Sequence, residues 1–379
     1  LPFSIVALPK IDFMKTLFNW FQKGTRFVLI CVLGLSLCLG IQSQALAALP
    51  GGNAVTDARS LLRLALPIEN ESIRQIQSNI EDIGTQIRAR RWNAINNDVA
   101  KATTLLTRHR DELVASVAPK NQSNAQELVA KIETGLQDLK AIAETKDGEN
   151  LVMTKNHLLD DIGTLEAAMV GDFPFEIPAE YQNLPQLKGR ATIALETNKG
   201  KVTMVADGYN APITAGNFVD LVQRGFYNGL PFTRAEESYV LQTGDPEGQE
   251  VGFVDPTTGK YRSIPLEIMV QGDKKPTYGI TLEDAGRYLE KPVLPFSAYG
   301  TVALANPSDD PNGGSSQFFF LLFDGELTPA GANLLDGRYA VFGYVIDGQE
   351  VLGELRPGDK IVSAKVINGA ENFVKPKKA

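Results

Sequence analysis

The stretch Gly225-Phe226-Tyr227-Asn228-Gly229-Leu230-Pro231-Phe232-Thr233-Arg234, followed after four residues by Tyr239-Val240-Leu241-Gln242-Thr243-Gly244-Asp245, decides how the chain is read. Turn formers bracket its two short apolar runs, Asn228-Gly229 before the first and Gly244-Asp245 after the second. Asn-Gly pairs supply the positive φ angles that tight turns demand. Upstream, residues 191–197 and 199–206 alternate in polarity and end on Asp207-Gly208, the pattern of a hairpin. Between hairpin and stretch, Ala211-Pro212-Ile213-Thr214-Ala215-Gly216-Asn217-Phe218-Val219-Asp220-Leu221 reads as a helix. Thr214 would cap it, and Phe218 and Leu221 would form its apolar face. Downstream lie Leu304-Ala305-Asn306, Gly314-Ser315-Ser316-Gln317-Phe318-Phe319-Phe320 and Leu335-Asp336-Gly337-Arg338-Tyr339-Ala340-Val341-Phe342-Gly343.

The same turn chemistry divides the chain. Its 379 residues suit two or three domains. Residues 190–379 hold 23 glycines and 20 aromatics, whereas residues 48–189 hold 8 and 4. The second half is therefore read as mainly β and the first as helical. In the first half, Ile73, Ile76, Ile80, Ile83 and Ile87 recur at helical spacing. So do Trp92, Ile95, Val99, Ala102, Leu106, His109 and Leu113; Val129, Ile132, Leu136, Leu139 and Ala143; and Leu158, Ile162, Leu165 and Met169. Four such helices, with a short lead-in near 55–66, make an antiparallel bundle. Ser123 and Gln126 read as the capping box of the third helix and Gly148 as its stop. Gly84, Gly135 and Gly163 should weaken helices locally. His109 is expected in the core and His157 beside it, facing solvent; two isolated histidines make a poor metal site. Residues 171–189, with Pro174, Pro178 and Pro185, read as a stiff linker along the surface.

The N-terminal segment reads as an address. Met14 is taken as the start, with residues 1–13 upstream of it. Lys15, Lys23 and Arg26 precede a 15-residue apolar run, Phe27–Ile41, and Gln44-Ala45-Leu46-Ala47 offers a cleavage site. This is the pattern of a secretory signal peptide covering residues 1–47. The run is short for a span of about 20 residues, so cleavage is favoured over a retained anchor. Cys31 and Cys38, the only cysteines, would leave with it. That segment carries a net +3, so the formal charge of −8 becomes −11 on the remainder. Such an acidic chain is a poor partner for nucleic acid. Residues 190–379 have no histidine and no cysteine, which excludes cysteine, serine–histidine and zinc hydrolase chemistry there.

The motifs from residue 190 to 369, taken in order, resemble the cyclophilin family of peptidyl-prolyl cis-trans isomerases. The resemblance implies a closed antiparallel β-barrel of eight strands with two capping helices, at 190–369, followed by a tail at 370–379. It also implies that Arg234 is the catalytic arginine and Gln242 the glutamine that orients it. By the same resemblance, Tyr239, Val240 and Phe319 line the proline pocket, with Leu334 and Leu335 at its rim and Tyr339 on its far side. Ala305 and Asn306 would present a strand edge to the substrate backbone, and Gln317 would line the groove. Thr233 and Tyr339 stand where the family has histidines, Leu334 where it has a rim tryptophan, and Val240 where it has methionine. These departures imply reduced activity and weak binding of cyclosporin. Neither metal nor cofactor is implied. Between Asp245 and Gly300 the chain is longer than a compact cyclophilin; this excursion is read as a surface loop with a short helix near 281–290, or else as a flap over the groove.

Signal, bundle (48–170) and divergent cyclophilin together resemble the thylakoid-lumen multidomain cyclophilins of plants and cyanobacteria, whose bundle is similar to extrinsic lumenal subunits of photosystem II. The resemblance implies an exported protein of the thylakoid lumen or periplasm, with no membrane span after cleavage. Its clients would be proline-containing chains, among them lumenal segments of photosystem II proteins. Two functions stand at this point: a prolyl isomerase, or a chaperone or scaffold whose catalysis is vestigial. Occlusion of the groove by the bundle or linker is a third, weaker idea.

Overall fold

The structure, a computed structural model, describes residues 55–323 and 333–376, so the expected signal segment lies outside the described residues. Helices α1 (Ala58–Leu64), α2 (Glu71–Arg88), α3 (Trp92–Ala115), α4 (Gln122–Thr145) and α5 (Gly148–Met169) come first. The last four pack in sequence, and α2 closes against α5. The isoleucine stripe of α2 is wholly buried from Ile73 to Ile83, opposite Ile95, Val99, Val129, Ile132 and Ile162. Asn70 caps α2 by accepting from the Ile73 N–H at 3.0 Å.

Several local expectations are corrected here. Helix α4 begins at Gln122, after a 3₁₀ turn over Pro119–Asn121, and no side chain caps it. Gly148 does not stop it; Lys146 takes the left-handed cap at φ 60°, and Gly148 opens α5 behind the N-cap Asp147. The α4–α5 connection is only two residues long, Lys146 and Asp147. His109 lies at the margin of the buried face, where its Nδ1 faces Glu112 Oε2 at 2.6 Å. The interior glycines permit close approach rather than marking weakness alone. A Cβ on Gly135 would stand 3.0 Å from Leu158 Cδ1, and one on Gly163 would stand 3.2 Å from the Arg63 stem.

Eight strands form the main sheet: β2 (Arg190–Thr197), β3 (Lys201–Asp207), β4 (Phe232–Glu236), β5 (Val240–Thr243), β8 (Thr301–Leu304), β9 (Phe318–Leu321), β10 (Val341–Asp347) and β11 (Ile361–Asn368). Their order is β11-β2-β3-β10-β8-β9-β5-β4, antiparallel throughout. "Closed" overstates this sheet. Between its ends, β4 and β11, the link is one isolated bridge, Pro231 with Lys360, and backbone hydrogen bonds between 229–232 and 358–361. Pro231 has no N–H to extend a ladder there. The curled sheet wraps Ile193, Val202, Met204, Phe318, Phe320 and Phe342, with helices α6 (Pro212–Gln223) and α7 (Gln349–Glu354) against that core.

The excursion carries the small hairpin β6 (Glu267–Ile268) and β7 (Thr277–Tyr278). Residues 281–290 form turns, not the expected helix; the Thr281 side chain folds back on Asp284 instead. Glu267 anchors the excursion. Its fully buried carboxylate accepts from the Ile213 N–H (3.0 Å), the Thr214 N–H (2.9 Å) and the Thr214 hydroxyl (2.9 Å). It therefore does the capping of α6 that the sequence assigns to Thr214. Residues 171–189 bring Phe173, Phe175, Ile177 and Tyr181 against the barrel core. They end in β1 (Gln186–Leu187), paired with β12 (Phe373–Val374).

Helix α1 belongs to both halves. Ala58, Leu61, Leu62 and Ala65 join the apolar layer on the outer face of the sheet, with Tyr344, Val341 and Phe319. A helix leaves its last carbonyls unpaired, and cationic side chains suit that end. Here Arg74 from α2 donates to the Arg63 and Leu66 carbonyls at 2.8 and 2.7 Å. From the barrel, Arg190 donates to Leu62 O at 2.5 Å and Asn210 to Ala65 O at 2.9 Å.

Candidate active site

Directly paired residues on antiparallel strands share a face of the sheet. Arg234 on β4 pairs with Gln242 on β5, and Gln242 pairs with Phe319 on β9. Phe319 in turn pairs with Ala303 on β8. The row Arg234–Gln242–Phe319 therefore lies on the outer face, while Leu241, Phe318 and Phe320 turn inward to the core. Val240 joins Phe319 on the apolar outer face, with Leu335 and Tyr339 partly buried against it. This brings together most of the residues singled out from the sequence.

The expected pocket floor is nearly covered. Phe319 is 5% exposed. Phe296 stacks parallel to it at 5.9 Å between ring centroids, and Tyr339 meets it edge-on at 5.4 Å. Phe296 comes from the end of the excursion, and the 333–336 turn clasps it. Asp336 accepts from its N–H at 2.8 Å, and Asn333 donates to its carbonyl at 2.9 Å. Burial raises the Asp336 carboxyl above its ordinary pKa, against the hydrogen bonds it accepts. Leu334 extends from the same turn and is 86% exposed. Tyr239, also exposed, sits at the β4–β5 hairpin tip, beyond the left-handed Ser238 (φ 59°).

The polar residues are otherwise engaged. The Arg234 guanidinium donates to Glu236 Oε1 from Nε at 2.7 Å and from Nη2 at 2.5 Å. Gln242 donates to Gln317 Oε1 at 2.7 Å. Gln317 donates to Asp245 at 3.1 Å and to Val251 O at 2.8 Å. Among the described residues, no side-chain hydrogen bond joins Arg234 to Gln242, although the two are register partners. Ala305 and Asn306 follow the end of β8; the Ala305 N–H donates to Gln317 O at 2.9 Å.

Sequence reading missed Glu236, Phe296 and Asp336. Glu236 was open to it, since residues i and i+2 of a strand share a face. Phe296 gave no signal, because nothing local says that the end of a long excursion returns to the pocket.

Comparison with known proteins identifies both halves of the chain. Residues 57–170 match the family model described as "Peptidyl-prolyl cis-trans isomerase CYP38-like, PsbQ-like domain". Residues 192–371 match "Cyclophilin type peptidyl-prolyl cis-trans isomerase/CLD". A Synechocystis protein named as a thylakoid lumen peptidyl-prolyl cis-trans isomerase is 57% identical over 90% of this chain and 90% of its own. The chloroplastic peptidyl-prolyl cis-trans isomerase CYP38 of Arabidopsis thaliana is 42% identical over 87% of this chain and 78% of its own. CYP37 of the same plant is 31% identical over 83% and 70%. With both domain models matched in order and relatives similar over 70–90% of their own length, the chain belongs to the cyclophilin-type peptidyl-prolyl cis-trans isomerases, in the branch that carries a PsbQ-like helical domain ahead of the isomerase domain.

Proposed function

We propose that this isomerase works after export, in the thylakoid lumen, on extended proline-containing chains, including lumenal segments of photosystem II proteins, and that Arg234 is its catalytic residue. The lumenal setting rests on the signal-like segment at 1–47 and on the name of the Synechocystis relative. The photosystem II role rests on the PsbQ-like character of the helical domain.

The chemistry needs little equipment. An X-Pro bond resists rotation because amide resonance sets a barrier of about 18–20 kcal/mol. Twisting the bond returns the lone pair to the prolyl nitrogen. A guanidinium N–H aimed at that nitrogen stabilises the twisted state and not the planar one, which is the condition for catalysis. The row Arg234–Gln242–Phe319 carries the reading: a cation, an amide and an aromatic floor on adjacent strands of one face. Tyr239, Val240, Leu334, Leu335 and Tyr339 would hold the proline ring, and Ala305, Asn306 and Gln317 the client backbone.

Arg234→Ala should lower turnover of an X-Pro peptide by about tenfold or more, as loss of a transition-state donor does. Equal rates for the two proteins would refute the assignment. The nearly covered floor and the engaged arginine support a second reading, a chaperone that binds extended chain without fast turnover. Client binding that survives Arg234→Ala, with no turnover by either protein, would select it.

A further inference from the structure

We propose that Glu236 is a positioning residue that holds Arg234 out of register with the prolyl nitrogen, and that a basic side chain beside the client's proline releases it. This rests on Arg234 being the catalytic residue.

The geometry is specific. Residues 234 and 236 share one face of β4, and the two N–H donors on one edge of the guanidinium converge on a single oxygen, Glu236 Oε1. The fork therefore points along its own strand instead of across to Gln242, its register partner. The Gln242 amide N–H donates to Gln317, which Asp245 and the Val251 carbonyl hold in place, and among the described residues no guanidinium N–H of Arg234 reaches the Gln242 Oε1. Glu236 itself pairs in register with Val240, so its carboxylate stands at the pocket end of β4.

The pair is half open to water, with the Arg234 and Glu236 side chains 52% and 48% exposed. An exposed pair of this kind is weak enough for a client to displace. Once Arg234 turns to the prolyl nitrogen, Glu236 is left as an unpaired anion beside the pocket. A Lys or Arg flanking the client's proline would take up that carboxylate; a Glu there would be repelled by it. No covalent step is involved, and the only exchange is of one ion pair for another.

The test is turnover of matched peptides with Lys or Glu beside the proline, by wild type, Glu236→Gln and Arg234→Ala, at low and high salt. We expect wild type to prefer the Lys peptide and to speed up on the neutral peptide as salt rises, because ions screen an exposed pair. Glu236→Gln should turn over the neutral peptide about two- to fivefold faster, the range an exposed pair supports. It should also lose both the salt response and the Lys preference. If Arg234→Ala is as fast as wild type, the assignment of the arginine fails and this inference with it. If Arg234→Ala is slow but Glu236→Gln matches wild type in rate, salt response and preference, the inference alone fails. The salt response of wild type needs no variant, so a fold defect does not mask the result.

Discussion

At the scale of single residues, the site is built from a row that was readable and a surround that was not. Arg234, Gln242 and Phe319 stood out through the family resemblance of the motifs that hold them, and the strand register places the three on one face. The hydrogen bonds of Gln242 and Gln317 were not legible, since Gln317 and Asp245 lie 75 and 72 residues from the side chains they meet. Leu334 is the residue whose replacement should tell most. Its side chain is exposed and takes the position where the family resemblance implies a rim indole. An aromatic ring there would add a large apolar face over the proline. Leu334→Trp should therefore lower KM for a prolyl peptide several-fold and strengthen inhibition by cyclosporin, both read in the same turnover assay. An unchanged KM would mean that Leu334 does not border the bound proline.

At the scale of elements, the long excursion is the part that sequence periodicity described least well. Its only regular pieces are two-residue strands, too short to register as alternation. One buried carboxylate at a helix N-terminus ties it to the sheet domain. Burial pushes the Glu267 pKa up to about 7, outweighing the hydrogen bonds donated by Thr214 and Ile213. A carboxyl raised in the folded state binds its proton more tightly there than in the unfolded chain. Its contribution is then fully present below the ordinary carboxyl range and is lost as pH rises through about 7. Glu267→Gln is neutral at every pH. Relative to wild type, it should gain stability between pH 5 and 8, on the order of 3 kcal/mol if the whole shift is expressed. Urea unfolding at the two pH values measures this; a difference independent of pH would refute it. Glu166, also buried and pushed up to about 7, leaves a slope of the same sign in the variant.

At the scale of the whole molecule, the division into helical and β halves was legible because turn chemistry and helical spacing rarely mix within a segment. What joins the halves was not, because α1 is only seven residues long and its partners are remote in sequence. Leu61 and Leu62 are buried where α1 lies in the outer apolar layer of the sheet, and the layer continues to Phe319. Leu62→Ala should cost about 2–4 kcal/mol of stability, as buried leucine truncations do. A loss below 0.5 kcal/mol would show that α1 contributes little to holding the halves together. The same arrangement has a consequence in time. Leu62 meets Arg190 across 128 residues, Ala65 meets Asn210 across 145, and Val55 meets Ser297 across 242. Helix α1, the first among the described residues, is thus among the last to find its place, and it must wait, apolar face exposed, until nearly the entire β half has been delivered. Refolding should end in a slow docking step reported by α1 alone, and during that interval an early, exposed segment of this folding helper would itself need shelter.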